Sequence, residues 1–506
     1  MDFNKEIIFS SSEPNFSRKL SQAEIDGRLR KIAPRIYTTN LLDAPENIIR
    51  RNFFEILAWR FPGAVISHRS AIELSPTKEG HFFMTSSYNR RITDLPGLTI
   101  NIYKGKPALN SDTKFNGLYI SSEYRYMLEN LQVSRKTKGG TEKNLPQSVI
   151  EERLERMILL GDEERLNDFR DKTREIAKKL GMMKEFEKLS IIISALLNTH
   201  SSRSLESDTA KARAAGNPFD KNRIELFEIL FEQLKDRFFT ERRDRNDNEA
   251  SFRMFSFFES YFSNYIEGTK FEINEAKQIV DTGVTIPKRV DDSHDILGTF
   301  AVLSNRHEMQ KSPQTASELI ALLKHRHRIM MGGRPELNPG LFKQINNQAG
   351  STVFVDYRHV EGTLQYGFRY FQLLKEPLAK AIYMMFLISE VHPFLDGNGR
   401  IARIMMNAEL VCGEQSRIII PTVFREDYLL ALRKLSRKKD PETYIRIMEK
   451  LHHFSDNLYG QDFDELNCYL QASNAYDDPE EGKLQWIDRN FSSKSELLPD
   501  FDSLPL

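Results

Sequence analysis

Cysteine is nearly absent. Cys412 and Cys468 are the only two in 506 residues, too few and too far apart for a disulfide framework or a four-ligand zinc site. That scarcity predicts a reducing compartment, and a cytoplasmic location is the expectation. Neither sign of charge is in excess: 72 Lys and Arg balance 72 Asp and Glu. Global charge therefore draws the chain to neither nucleic acid nor membrane, and any such surface must be local. No apolar run approaches the roughly 20 residues of a membrane span, so no membrane partner is expected. The start, Met-Asp-Phe-Asn-Lys-Glu, does not read as a charged region followed by an apolar core. No internal repeat is visible. At this length two or three domains, each with its own core, are expected.

What is present is concentrated in residues 392–403, His-Pro-Phe-Leu-Asp-Gly-Asn-Gly-Arg-Ile-Ala-Arg. Before it, Leu378, Ala381, Ile382, Met385 and Ser389 recur at helical spacing in an almost continuously apolar segment, so a buried helix delivers His392 to a loop. After it, Ile401, Ile404, Met405 and Ala408 mark a second amphipathic helix beginning near Asn398. Gly397, Asn398 and Gly399 thus fall at a helix N-terminus, where backbone N–H groups and the dipole attract anions and glycine lets phosphate approach. Arg400 and Arg403, three apart, share a helix face and can clamp successive phosphates. Asp396 is a hard oxygen ligand suited to Mg²⁺, with phosphates and water completing the shell. His392 is the one titrating group here fitted to remove a proton near neutral pH.

These residues resemble the signature of Fic-domain proteins, His-Pro-Phe-x-(Asp/Glu)-Gly-Asn-Gly-Arg-x-x-Arg, at every typed position. The resemblance implies an ATP- and Mg²⁺-dependent protein adenylyltransferase, moving AMP to a Ser, Thr or Tyr hydroxyl of a protein, the chain itself included. His392 would deprotonate the target hydroxyl and Asp396 would hold Mg²⁺. Asn398 with the amides of Gly397 and Gly399 would hold the phosphates, and Arg400 and Arg403 would neutralise the pyrophosphate. Asn407 and Tyr428 are adenine-side or ribose-side candidates on the same ground.

Two further segments fit that family. Residues 253–267 place Phe255, Phe258, Phe262 and Tyr265 on one helical stripe, with Ser263 and Glu267 four apart on another face and Gly268 as a stop. Ser263-x-x-x-Glu267-Gly268 resembles the inhibitory helix of the subclass that carries it N-terminal to the catalytic motif, which implies that Glu267 pairs with Arg403 and keeps ATP from binding productively. Asn346 to Gly350 breaks structure, and the β-branched and aromatic run containing Thr352, Val353, Phe354 and Val355 predicts a short hairpin. In the family that hairpin is a flap that docks the target by strand addition.

The expected fold class is mainly α. It comprises a flexible arm (1–20), an α+β domain with a winged helix as one form (21–132), a helical domain (133–245), a Fic-type helical core with a β-hairpin flap (246–456), and an acidic C-terminal tail (457–506). The helical region carries Ile150, Leu154, Met157 and Ile158 on one stripe, and the charge-dense 241–248 reads as a linker. Arg28, Arg30, Lys31, Arg50 and Arg51 are candidates for DNA phosphate contact or for a solvated basic face. A homodimer is a further expected assembly. Two rival functions are carried alongside transfer: AMP removal, with Glu267 orienting a water, and a DNA-binding regulator whose Fic site senses nucleotide.

Overall fold

A computed structural model describes residues 5–11, 13–134, 141–197 and 204–487. The chain divides into two compact units, 1–216 and 217–506. That division falls inside the segment read from sequence as one helical domain, and residues 198–203 within it lie outside the described residues.

The first unit is α+β. Strands β1 (Ile7–Phe9), β2 (Arg30–Ala33) and β3 (Ile36–Thr38) form an antiparallel sheet in the order β1-β3-β2. A six-stranded mixed sheet combines β4 (Val65–Ile66), β5 (His81–Ser86), β6 (Arg90–Leu95), β7 (Leu98–Lys104), β8 (Thr113–Phe115) and β9 (Leu118–Ile120) in the order β6-β7-β5-β4-β9-β8. The helix Pro45–Arg60 buries Ile48, Ile49, Phe53, Ile56 and Leu57 in one apolar cluster with Phe82, Met84, Ile100 and Ile102 of that sheet. The core of this region is therefore sheet against helix. The polar start does not hang free, because Ile7, Ile8 and Leu20 are buried and β1 pairs with β3. Glu6 and Asp43 ion-pair with Arg51, Asp26 pairs with Arg28, and Arg30 donates to the Asp43 carbonyl, so these basic residues face carboxylates and backbone of their own unit. The long helix Gln147–Leu180 buries Ile150, Leu154, Met157 and Ile158 with the helix Met183–Leu196.

Among its described residues, the second unit has strands only in the flap and is otherwise helices and their connections. Its centre is the pair Pro377–Val391 and Asn398–Cys412. The first of these starts with proline at its N-terminus and is buried on nearly every face, as its unbroken apolar sequence requires. Lys221–Leu234 packs Leu226, Phe227 and Leu230 into the same core, so this helical core begins before residue 246. Residues 241–248 are tied down: Asp244 N–H donates to Glu414 and Arg245 to the Asp456 carbonyl. The segment read as an acidic tail contributes the helix Phe463–Ala472, whose Leu466, Tyr469 and Leu470 are buried. There Phe463 packs on Phe257 and Phe258, and Tyr476 on Tyr261 and Phe262. Aromatic and aliphatic side chains between the acids outweigh the charge in deciding burial.

Candidate functional site

The loop between the central helices is built by its own sequence. His392 ends the first helix at φ 53°, a left-handed conformation that a non-glycine residue holds at some cost. Asn398 closes the turn, its amide accepting from the Phe394 N–H (2.8 Å) and donating to the Phe394 carbonyl (2.9 Å). Gly397, at φ 74°, caps the second helix. In this structure the Asn398 side chain shapes the loop and does not face the cavity.

His392 stacks on Phe354 of the flap with ring centroids 3.6 Å apart. Its Nδ1 lies 3.4 Å from the Ser389 carbonyl, which places a proton on Nδ1 and leaves Nε2 as the basic nitrogen. Burial, with the nearby Lys343 charge second, pulls its pKa down to about 4, so the ring is neutral at pH 7. Lys343 is buried too, its own pKa lowered to about 8 by desolvation, and it donates to Asn347, whose amide holds the Phe394 carbonyl.

Across the same cavity, Arg403 Nη2 meets Glu267 Oε1 at 2.7 Å, while its Nε and Nη2 donate to the Ser263 hydroxyl (2.9 Å) and carbonyl (2.8 Å). Glu267 follows the last residue of the helix Glu249–Ile266, and Gly268 turns the chain away at φ 99°. A Cβ on Gly399 would lie 2.0 Å from Glu267 Oε1. The carboxylate thus covers the first turn of the helix Asn398–Cys412, where a phosphate would be drawn.

The cavity holds about 600 Å³ and gathers Glu267, Thr352, Phe354, His392, Gly399, Arg403 and Tyr428. Other candidates lie elsewhere. Arg400 is buried beneath the loop, 2.9 Å from Asp295, which Arg334 also contacts at 2.7 Å. Asn407 is fully buried and bonds Glu259 (2.6 Å) and the Ile418 backbone, a core role rather than a nucleotide contact in this structure. Asp396 is exposed near the loop, 3.6 Å from Arg400. Val353 is exposed and Val355 is buried in the core, so the hairpin strands Gln348–Ala349 and Thr352–Val353 end before Val355. Burial of Tyr428 raises its pKa to about 12.

Sequence reasoning passed over several residues that hold the site. His327 stacks on Phe394 at 3.7 Å, bonds the Asp396 carbonyl through Nε2 (3.0 Å) and accepts the Gly340 N–H at Nδ1 (2.9 Å). Arg223 pairs with Glu390 (2.5 Å) and donates to the Val353 carbonyl (2.6 Å), fixing the flap to the end of the helix that carries His392. Nothing in the spacing of His327 or Arg223 marks them, because both act across the fold.

Residues 319–410 match the Fic/DOC family model. The Protein adenylyltransferase Fic of Drosophila persimilis is 26% identical over 206 residues, 39% of this chain and 40% of that protein. That of Drosophila willistoni is 25% identical over 215 residues, again 39% and 40%. The chain thus spans about two-fifths of the length of these curated relatives. Among solved structures, residues 134–508 of Fic-1 from C. elegans align over 65% of this chain and 93% of that one, with 18% identity and a TM-score of 0.35. The signature at 392–403 and the family match around it identify residues 319–410 of this chain as a Fic/DOC-family domain.

Proposed function

We propose that the second unit transfers AMP from Mg-ATP to a Ser, Thr or Tyr hydroxyl of a protein, and that the structure is its self-inhibited state. One observation carries the reading: Glu267 binds Arg403 and covers Gly399 in the cavity that His392 lines. A carboxylate in that position competes with a phosphate for the same arginine and the same helix end. The likeness to proteins named adenylyltransferases supports the donor.

In the step, the target hydroxyl oxygen attacks the α-phosphorus, the bond to pyrophosphate breaks, and the proton passes to His392 Nε2. A neutral imidazole with Nδ1 engaged is the form that can accept it. Phe354 presses the ring in place and Arg403, once released, meets the polyphosphate. For Mg²⁺, the single exposed carboxylate of Asp396 beside the helix start fits an ion held chiefly by phosphates and water; it would neutralise charge on the triphosphate. Asp295 would hold Arg400 under the loop during the reaction.

The test is mass spectrometry of the chain incubated with Mg-ATP. Glu267→Gly should gain AMP on itself where the native chain gains little, and adding His392→Ala should return it to background. A variant that gains nothing and instead loses AMP removal from a modified protein replaces the reading with hydrolysis, Glu267 then orienting water.

A further inference from the structure

Charge around the cavity mouth bears on which protein segment presents the hydroxyl. The helix Arg425–Lys438 turns Tyr428, Leu429, Leu432, Arg433, Ser436 and Arg437 to the cavity, one stripe at helical spacing. Tyr428 marks the end near Arg403. Nine residues on, about 13 Å away at 1.5 Å per residue, Arg437 reaches the flap. Its Nη2 donates to the Ser351 hydroxyl (3.0 Å) and the Thr352 hydroxyl (2.8 Å). Both Arg433 and Arg437 are exposed, and among the described residues neither has a carboxylate partner. Of the two acids lining the cavity, Glu267 is held by Arg403, and Glu390 is buried, paired with Arg223 and accepting from the Ser436 hydroxyl of the same stripe. Two exposed arginines thus line the mouth with no carboxylate bound to either, away from the phosphate end.

The flap converts this into a spacing. Phe354 lies on His392 and Thr352 lies against Arg437. Residues two apart in an extended chain share a face and sit about 7 Å apart. A target segment lying extended along the flap would put its hydroxyl at His392 and the side chain two positions away at Arg437, with Arg433 one helical turn back on the same stripe.

We propose that Arg433 and Arg437 select the target: an extended protein segment carrying Asp or Glu two positions from the modified hydroxyl. The proposal rests on the transferase reading and adds no chemical step to it. The acidic side chain binds and orients, and the proton and pyrophosphate leave as described above.

The test uses the full chain with Glu267→Gly, Mg-ATP and synthetic peptides bearing one hydroxyl, with Asp or Lys two positions before or after it. The Asp peptides should be modified with about fivefold higher kcat/KM than the Lys peptides, the size expected of one or two exposed ion pairs. Which of the two Asp placements is preferred reports the direction of the target chain. Arg433→Glu with Arg437→Glu should invert the preference toward Lys. Arg437→Gln, which keeps donors for the flap hydroxyls, should weaken it while KM for ATP stays unchanged. Equal use of Asp and Lys peptides, or a preference that survives charge reversal, overturns the proposal. A KM for ATP that rises with the substitutions also overturns it, because the pair would then hold nucleotide. Self-modification that proceeds while every peptide fails overturns it and leaves the transferase reading standing, whereas no transfer to chain or peptide removes both.

Discussion

Each unit carries a tight arginine–carboxylate cluster, and the two differ in what surrounds them. In the first unit Arg125 bridges Asp112 and Glu129 at 2.8 Å each, with all three side chains almost wholly buried. The Glu129 carboxylate also accepts from the Ser121 hydroxyl and the His68 N–H, and Arg125 donates to the carbonyls of Lys106 and Pro107. In the second unit Arg403 meets Glu267 at a similar 2.7 Å, but Glu267 is 33% exposed and faces a cavity. A closed cluster has no other partner to accept and can only hold the fold. An open one has room to exchange its carboxylate for a phosphate, and under the proposed function the same kind of interaction would serve as a switch.

The strongest way to break the open side of this comparison is His392→Ala in the Glu267→Gly chain. Transfer should fall by about a hundredfold to ten-thousandfold, the usual contribution of a general base, while ATP still binds; single-turnover kinetics beside a nucleotide-binding titration checks this. On the closed side, Arg125→Met leaves two buried carboxylates without their cation. It should cost about 3–5 kcal/mol, read as lost hydrogen-exchange protection in β7 to β9 and the helix Glu123–Asn130. An undiminished protection there would mean that the cluster is not structural. Glu267→Gly should raise transfer about tenfold to a hundredfold, matching the loss of one charge-assisted contact of roughly 1.5–3 kcal/mol, as measured by AMP incorporation at ATP well below saturation.

The smallest effect is on pH. Burial holds His327, His392 and His452 down to about 4. The unfolded chain takes up protons near 6.5 that the folded unit refuses, so stability is full above that pH and is lost as pH falls toward about 4. Between pH 7 and 6 each histidine should cost about 0.7 kcal/mol, visible as a falling urea midpoint that His452→Gln flattens. Transfer by Glu267→Gly should stay level from pH 8 to about 5, since His392 is already neutral there. A midpoint that rises on acidification would contradict the assigned direction.

The Fic resemblance was readable because residues 392–403 are contiguous, and a loop between two helices keeps its residue types and spacing in one line of sequence. The two helices around it were readable for the same reason, since their apolar periodicity is local. Organisation outside them was less legible. Composition marked 1–20 as loose and 457–506 as an acidic tail, yet Ile7, Leu20, Leu466 and Tyr469 are buried, because a few apolar side chains can anchor a polar segment when the fold offers them a surface. The basic residues near the start left DNA contact and a solvated basic face both open in the sequence; in the structure Asp26, Asp43 and Glu6 pair with Arg28 and Arg51 once the strands assemble.

By itself, then, the sequence determined the family, the helix–loop–helix at 377–412 and the presence of base, carboxylate and two arginines in one stretch, since each depends on neighbours along the chain. Tertiary structure alone decided what each one does at rest. Packing sent Arg400 down to Asp295, 105 residues away in sequence by their numbering, and brought Glu267 over Gly399 onto Arg403. It also folded Asn407 into the Glu259 network and laid Phe354 on His392. Residues so far apart meet only when helices pack, and a buried charge takes whichever opposite charge the packing places beside it.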